Sequence, residues 1–257
     1  MFRTATSRSK KIWPLSSFWT AVILTLAVLS VLDVKSALAD EAKTAKPQPP
    51  FADFYQAVRQ PVRFDETDDK IELVVFFWYG CGACRASDSS THMFLSALPD
   101  DVRVVKLPAL FDSRPEWLQH GRLFFTLEKL GVESDLRSAT FAAVQAQDGG
   151  RYTAKLMTRE AQETFAAANG VDRADFRAAY DSPEIEEKLK RTTTYMNLVD
   201  LDSVPAMVVN GRYIFTFVQG PRYYQQAERL INQERERLKA AKEAKSGKEA
   251  KTAEGAK

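Results

Sequence analysis

Cysteine and histidine are scarce in this chain, and their scarcity limits the chemistry available to it. Among 257 residues there are only two cysteines and two histidines, His92 and His120. Two cysteines cannot form a framework of several disulfides, and a structural zinc site normally needs four Cys or His ligands. Because the two histidines do not have the spacing of a paired ligand motif, structural zinc is disfavoured. A chain of this length can also bury enough core to fold without a disulfide staple.

The sequence also lacks a glycine-rich phosphate loop and an internal repeat, and its central part has no large net charge. The formal net charge is +2, but the basic groups are concentrated in residues 1–39 and 234–257. The part between them is mildly acidic, which argues against nucleic acid as a partner. The hydrophobic content of 45% is typical of a globular protein.

The first 39 residues have the pattern of an export signal. A basic start is followed by a largely apolar stretch at 18–32 and by the small-x-small pattern Ala37-Leu38-Ala39. We predict a signal peptide that is cleaved after Ala39. The alternative is an uncleaved signal anchor, because residues 13–32 reach the ~20 residues that a spanning helix needs. No cysteine lies near the cleavage site, which excludes a lipoprotein anchor, and both interpretations place the remaining chain outside the cytoplasm.

Hydrophobic patterning divides the rest of the chain into an α/β unit with a helical insertion. We predict buried strands at 71–77 and 102–107, parallel to each other through an intervening helix. Helical segments follow at 115–130, 133–146, 158–169, 173–180 and 183–199. Asn210-Gly211 then predicts a hairpin before a last helix that ends near Leu238. The predicted regions are a linker at 40–50, the first part of the α/β unit at 51–110, the insertion at 111–199, the second part at 200–238, and a charged Lys/Ala/Glu tail at 239–257 that is frayed or disordered.

The two cysteines, Cys81 and Cys84, lie where the first predicted strand meets the following helix. A thiol at the N-terminal end of a helix faces unpaired backbone N–H groups, which stabilise its thiolate. We therefore predict Cys81 as the exposed nucleophile at the N-cap and Cys84 as its more buried partner, one turn inside the helix. Redox chemistry is the favoured interpretation of this pair. A zinc site and an inert structural disulfide remain open from the motif alone.

A second motif, Val204-Pro205-Ala206, precedes the predicted hairpin. Together with Phe76-Phe77 before the cysteine pair and with the helical block between, it resembles the DsbA family of thiol:disulfide oxidoreductases over roughly residues 62–232. The resemblance implies a thioredoxin fold, an α/β class, with an inserted all-helical domain. It also implies that Pro205 is a cis-proline facing the two sulfurs and that the Val204 backbone pairs with an extended client segment. The resemblance further implies that the redox-active group is the Cys81–Cys84 disulfide and that no bound cofactor is needed.

The sequence departs from this family at two places. The residues between the cysteines are Gly82-Ala83, where well-known members have Pro-His, so a cationic side chain near the thiolate is missing. We therefore expect the pKa of Cys81 to be depressed, but less than in Pro-His relatives. The buried acid that many members have six residues before the first cysteine is replaced by Val75. Asp88 is a possible substitute as a proton relay, although a solvated helix acid is the favoured interpretation.

The resulting hypothesis is a monomeric periplasmic enzyme that introduces disulfides into reduced exported proteins. In the family, a membrane quinone-linked oxidase reoxidises the enzyme, and we expect the same partner type here. Two alternatives remain: a reductase or isomerase of the same fold, and a non-catalytic client-binding module. The short segment before the first strand disfavours the isomerase, because isomerases of this type carry an added dimerisation domain. Trp78 and Tyr79 are expected to serve packing rather than client recognition.

Overall fold

The structure is a computed structural model that describes residues 55–65, 69–148, 151–152, 155–218 and 220–254. The signal predicted at 1–39 and the linker predicted at 40–50 lie outside these ranges. The described residues belong to one compact unit, which begins at residue 53. Within them, no helix has the length and apolar character required to cross a membrane.

A five-stranded mixed sheet forms the centre of the unit. Its strands are β1 (Gln56–Ala57), β2 (Ile71–Phe77), β3 (Val102–Pro108), β6 (Ala206–Val209) and β7 (Tyr213–Thr216), and their spatial order is β1-β7-β6-β2-β3. β2 and β3 are parallel, and the other pairs are antiparallel. Every residue of β2 is buried, because this strand is central and both of its faces are covered. Its sequence, apolar except for Glu72, is the expected pattern for such a position.

Seven helices surround this sheet in the described part of the chain. They are α1 (Gly82–Ser96), α2 (Pro115–Lys129), α3 (Glu133–Val144), α4 (Arg159–Ala168), α5 (Arg173–Tyr180), α6 (Pro183–Leu198) and α7 (Arg222–Glu254). α1 connects the parallel strands β2 and β3, and α2 to α6 form the insertion between β3 and β6. The predicted order of strand, helix, strand, helical block, hairpin and helix is confirmed.

The insertion is not entirely helical, contrary to the prediction. Two short strands, β4 (Gln147–Asp148) and β5 (Arg151–Tyr152), form an antiparallel pair between α3 and α4. Each strand has only two residues, too few to show the alternating pattern from which strands are predicted. The edge strand β1 is missing from the prediction for the same reason.

The last helix is longer than predicted, since α7 continues to Glu254 instead of ending near Leu238. The tail predicted as frayed or disordered is therefore helical as far as that residue. Alanine, lysine and glutamate are strong helix formers, so the backbone can stay helical without an apolar face. The side chains of residues 239–246 are exposed, in agreement with the predicted solvation of this segment.

The alternation of side chains along β2 divides the core between the two faces of the sheet. Val74 and Phe76 pack in the cluster that includes residues of the insertion, whereas Leu73 and Val75 pack in the cluster that includes α7. Phe77, at the end of β2, also faces the insertion. The loop that follows it, which carries the cysteines, therefore begins between the sheet and the insertion.

Candidate active site

Cys81 occupies the N-cap of α1, as the sequence predicts. Its backbone is extended (φ −85°, ψ 118°), and the backbone N–H of Cys84 donates to its Sγ at 3.2 Å. Both cysteines are free thiols; Cys81 is half-buried, whereas Cys84 is only 4% exposed. This difference gives the pair one sulfur that a client can reach and one that only Cys81 can reach.

Their surroundings shift the pKa values of the two thiols in opposite directions. A hydrogen bond from the Cys84 thiol, together with the backbone N–H groups of Cys84 and Ala83, lowers the pKa of Cys81 to about 7, although burial opposes the shift. Burial raises the pKa of Cys84, and the adjacent Cys81 adds to the increase. At neutral pH the pair therefore contains a substantial fraction of Cys81 thiolate beside a protonated Cys84.

This acidity predicts a change of slope in the reduction potential with pH. Below about pH 7, reduction of the disulfide takes up two protons with its two electrons, so the potential should fall by about 59 mV per pH unit. Above that pH only Cys84 takes up a proton, and the slope should decrease to about 30 mV per unit. Equilibration with a glutathione buffer between pH 5 and 9, corrected for the buffer's own titration, measures the slope. A single slope of about 59 mV up to pH 8.5 would contradict the N-cap argument.

The Val204-Pro205 segment lies against the nucleophile. The bond between these residues is cis, and the Cys81 thiol donates to the Val204 carbonyl oxygen at 3.5 Å. Gly82 and Ala83 are exposed, and a Cβ on Gly82 would meet no atom within 4 Å. The reactive sulfur is thus bordered by the Val204 backbone on one side and by the small, open first turn of α1 on the other.

Trp78 and Tyr79 pack in the core under the loop that carries the cysteines, which confirms their predicted packing role. They are 6% and 1% exposed. The Trp78 indole stacks on Trp117 with ring centroids 3.9 Å apart, and its Nε1 donates to Nδ1 of the buried His120 at 3.0 Å. A Cβ on Gly80 would lie 2.3 Å from this indole, so the turn before Cys81 requires glycine.

His120 connects the loop to the insertion as a neutral ring. Its Nδ1 accepts from Trp78, so its Nε2 carries the hydrogen and donates to the Lys155 carbonyl at 2.8 Å. Burial lowers the pKa of His120, which keeps this arrangement uncharged at neutral pH. His92, in contrast, is exposed on α1. No group of three or more His, Cys, Asp or Glu side chains in the described ranges could hold a metal ion.

A buried ionic cluster lies between α1 and α3. Arg137 donates to Asp88 and to Glu133, each at 2.7 Å, and the Tyr79 hydroxyl donates to Glu133 at 2.8 Å. Asp88 is thus paired with Arg137 and its side chain is 23% exposed, so it differs from the freely solvated helix acid that the sequence favoured. Its role as a proton relay for Cys84 stays a prediction.

Gln145 and the cluster residues Glu133 and Arg137 were not predicted as part of this site. The Gln145 amide donates to the carbonyl oxygens of Tyr79 and Cys81 at 2.7 and 3.1 Å. Glu133 and Arg137 have the four-residue spacing of a helix ion pair, which the sequence displays. Their contacts with Tyr79 and Asp88 span about 50 residues of chain, and no local pattern reveals them.

Known proteins resemble this chain in both sequence and fold. Residues 72–231 match the family described as DSBA-like thioredoxin domain. The chain is 36% identical over 176 residues to the thiol:disulfide interchange protein DsbA of Pseudomonas syringae pv. tomato, covering 67% of this chain and 79% of that protein. It is 38% identical over 169 residues to the protein of the same name from Azotobacter vinelandii, covering 65% of this chain and 76% of the relative. The crystal structure of Pseudomonas aeruginosa DsbA superimposes with a TM-score of 0.64 at 35% identity, covering 72% of this chain and 94% of that one.

Proposed function

Because the chain belongs to the DSBA-like thioredoxin domain family and is a thiol:disulfide oxidoreductase of that fold, we propose that it introduces disulfides into reduced exported proteins. The observation that favours oxidation of the client over its reduction is the N-cap geometry of Cys81. A thiolate stabilised in the reduced enzyme makes the disulfide form a stronger oxidant. The export pattern at 1–39 supports action in the periplasm, where protein disulfides persist.

The proposed reaction is two successive thiol–disulfide exchanges. A client thiolate attacks Sγ of Cys81 in the Cys81–Cys84 disulfide, and Cys84 leaves with the electron pair of the broken S–S bond. Because burial raises the pKa of Cys84, this sulfur takes up a proton. A second client thiolate then attacks the client sulfur of the mixed disulfide and expels Cys81, a good leaving group because its pKa is low. The client is oxidised by two electrons, and the enzyme is reduced by two.

Two features, one beside Cys81 and one farther along α1, would hold an unfolded client during this exchange. The Val204 carbonyl lies close enough to the thiol for a client strand to pair with the backbone there. A groove of about 650 Å³ runs between α1 and the start of α7, and Met93, Phe217 and Tyr224 contribute its larger apolar side chains. Met93 is 65% exposed, which suits adaptable contact with varied apolar sequences.

Turnover requires a partner that removes the two electrons from the reduced enzyme. We assign this role to a membrane quinone-linked oxidase, as the family resemblance implies. The Cys81 thiolate would attack a disulfide of that partner, and Cys84 would resolve the mixed disulfide. No bound cofactor is needed for either half of the cycle.

A refolding assay with a reduced multi-disulfide protein separates the candidate functions. We expect the oxidised enzyme, in stoichiometric amount and without glutathione, to form client disulfides within minutes while it becomes reduced. An isomerase would act only on a scrambled, already oxidised client in a glutathione buffer. A client-binding module would change the aggregation of the client without changing its thiol content. Thiol alkylation followed by mass spectrometry measures the client and the enzyme in the same sample.

A further inference from the structure

Gln145, a residue of the helical insertion, is hydrogen-bonded to the loop that carries Cys81. It is the C-cap residue of α3, and its backbone N–H donates to the Phe141 carbonyl at 3.1 Å. Its side-chain amide reaches out of the insertion and donates both to Tyr79 and to Cys81, at 2.7 and 3.1 Å. The acceptors are backbone carbonyls of the loop between β2 and α1.

A hydrogen bond to the Cys81 carbonyl acts directly on the backbone of the nucleophile. This carbonyl also accepts the first hydrogen bond of α1, from the Arg85 N–H at 3.1 Å, while the Cys81 N–H donates to the Trp78 carbonyl at 2.9 Å. The backbone of the nucleophile is therefore fixed by its helix, by the preceding turn and by Gln145. Its extended N-cap conformation is the one that places Sγ 3.2 Å from the Cys84 N–H.

We propose that Gln145 is a positioning residue that fixes the Cys81 carbonyl so that Sγ stays aligned with the first N–H groups of α1, and thereby sets how strongly the reduced enzyme holds a thiolate. Gln145 does not touch the sulfur and takes no part in the exchange itself. The inference rests on the proposed function, because the thiolate that it stabilises is the leaving group of the oxidase reaction.

The Gln145→Met variant tests the proposal, since methionine keeps the length of the side chain and removes both amide hydrogens. We expect the Cys81 thiolate to titrate at a higher pH by about half a unit to one unit. Because one pKa unit corresponds to a tenfold change in equilibrium, the disulfide should become about three- to tenfold less oxidising against glutathione. Thiolate absorbance at 240 nm and the glutathione equilibrium measure the two quantities independently.

Gln145→Glu provides a second variant with the same number of side-chain atoms. An ionised carboxylate cannot donate to either carbonyl, and it adds a negative charge near the thiolate. We expect the titration of Cys81 to shift at least as far upward as in Gln145→Met. Because that charge raises the pKa by itself, an uncharged variant is needed if Gln145→Met does not fold, and Gln145→Leu, which also removes both donors, then decides the question by the same readouts.

Gln162→Met is the matched control. The Gln162 amide also bridges two backbone carbonyls, those of Gln119 and Leu156 at 3.0 and 2.8 Å, and the residue is fully buried in the insertion. This variant should lose stability without moving the Cys81 titration. A Gln145→Met shift no larger than that of Gln162→Met would overturn the proposal. A wild-type enzyme that oxidises no client would overturn the proposed function, whereas the comparison of titrations would still be readable.

Discussion

Replacing Cys81 by serine is expected to abolish client oxidation, and replacing Cys84 by serine is expected to abolish it in a chemically different way. Neither variant can form the internal disulfide, so neither can accept two electrons from a client. In Cys84→Ser the half-buried Cys81 loses the hydrogen bond of the Cys84 thiol, but the backbone N–H groups at positions 83 and 84 still lower its pKa, and its thiolate should react readily with oxidised glutathione. The mixed disulfide should then accumulate, because the sulfur that would resolve it is missing.

The Cys81→Ser variant should be almost unreactive toward the same reagent. Its remaining thiol, Cys84, is 4% exposed, and burial raises its pKa, so both access and thiolate fraction are small. Intact mass spectrometry after incubation with oxidised glutathione at pH 7 compares the two variants. Equal labelling of both would contradict the assigned roles. Full client oxidation by Cys81→Ser would show that the Cys81–Cys84 disulfide is not the oxidant.

The local parts of this fold could be predicted from the sequence because they depend on local patterns. The strand at Ile71–Phe77 and the helix at Arg173–Tyr180 have the predicted bounds. The strand is a continuous apolar run from Leu73 to Phe77, and the helix has both an N-cap at Asp172, which accepts from two backbone N–H groups, and a regular apolar spacing. The hairpin at Asn210-Gly211 follows from a turn signal in which both residues have positive φ.

The contacts that position the cysteines could not be predicted, because each joins segments that are far apart in the chain. His120 shows no sequence pattern that assigns it to Trp78, yet it accepts the hydrogen bond of that indole. Gln145 follows an ordinary helix end and reaches two carbonyls more than 60 residues earlier. Periodicity shows which face of an element is apolar, but it does not show which polar side chain of another element meets it. Asp88 illustrates the same limit, since its partner Arg137 lies 49 residues away.

Replacing Arg137 by methionine is expected to destabilise the protein strongly. Its guanidinium lies 4.0 Å from the centre of the Phe77 ring and pairs with Asp88 and Glu133, and its side chain is only 13% exposed. Methionine would fill much of the space but leave the Glu133 carboxylate buried, with the Lys106 ammonium 4.0 Å away. Removing one partner of a buried ion pair costs about 3 to 5 kcal/mol. Urea unfolding of the reduced protein, followed by circular dichroism, measures the loss in the free energy of unfolding.

Two control variants separate the buried charge from the loss of an arginine as such. Arg235 makes a two-point contact with Asp101 at 2.6 and 2.9 Å on the surface, and Arg235→Met should change stability by less than about 1 kcal/mol because that pair is exposed. Adding Glu133→Gln to Arg137→Met should restore part of the lost free energy of unfolding, since a neutral amide oxygen can still accept from Tyr79 and the more deeply buried of the two carboxylate charges is removed. If Arg137→Met and Arg235→Met lose the same free energy, the cluster between α1 and α3 is solvated in solution.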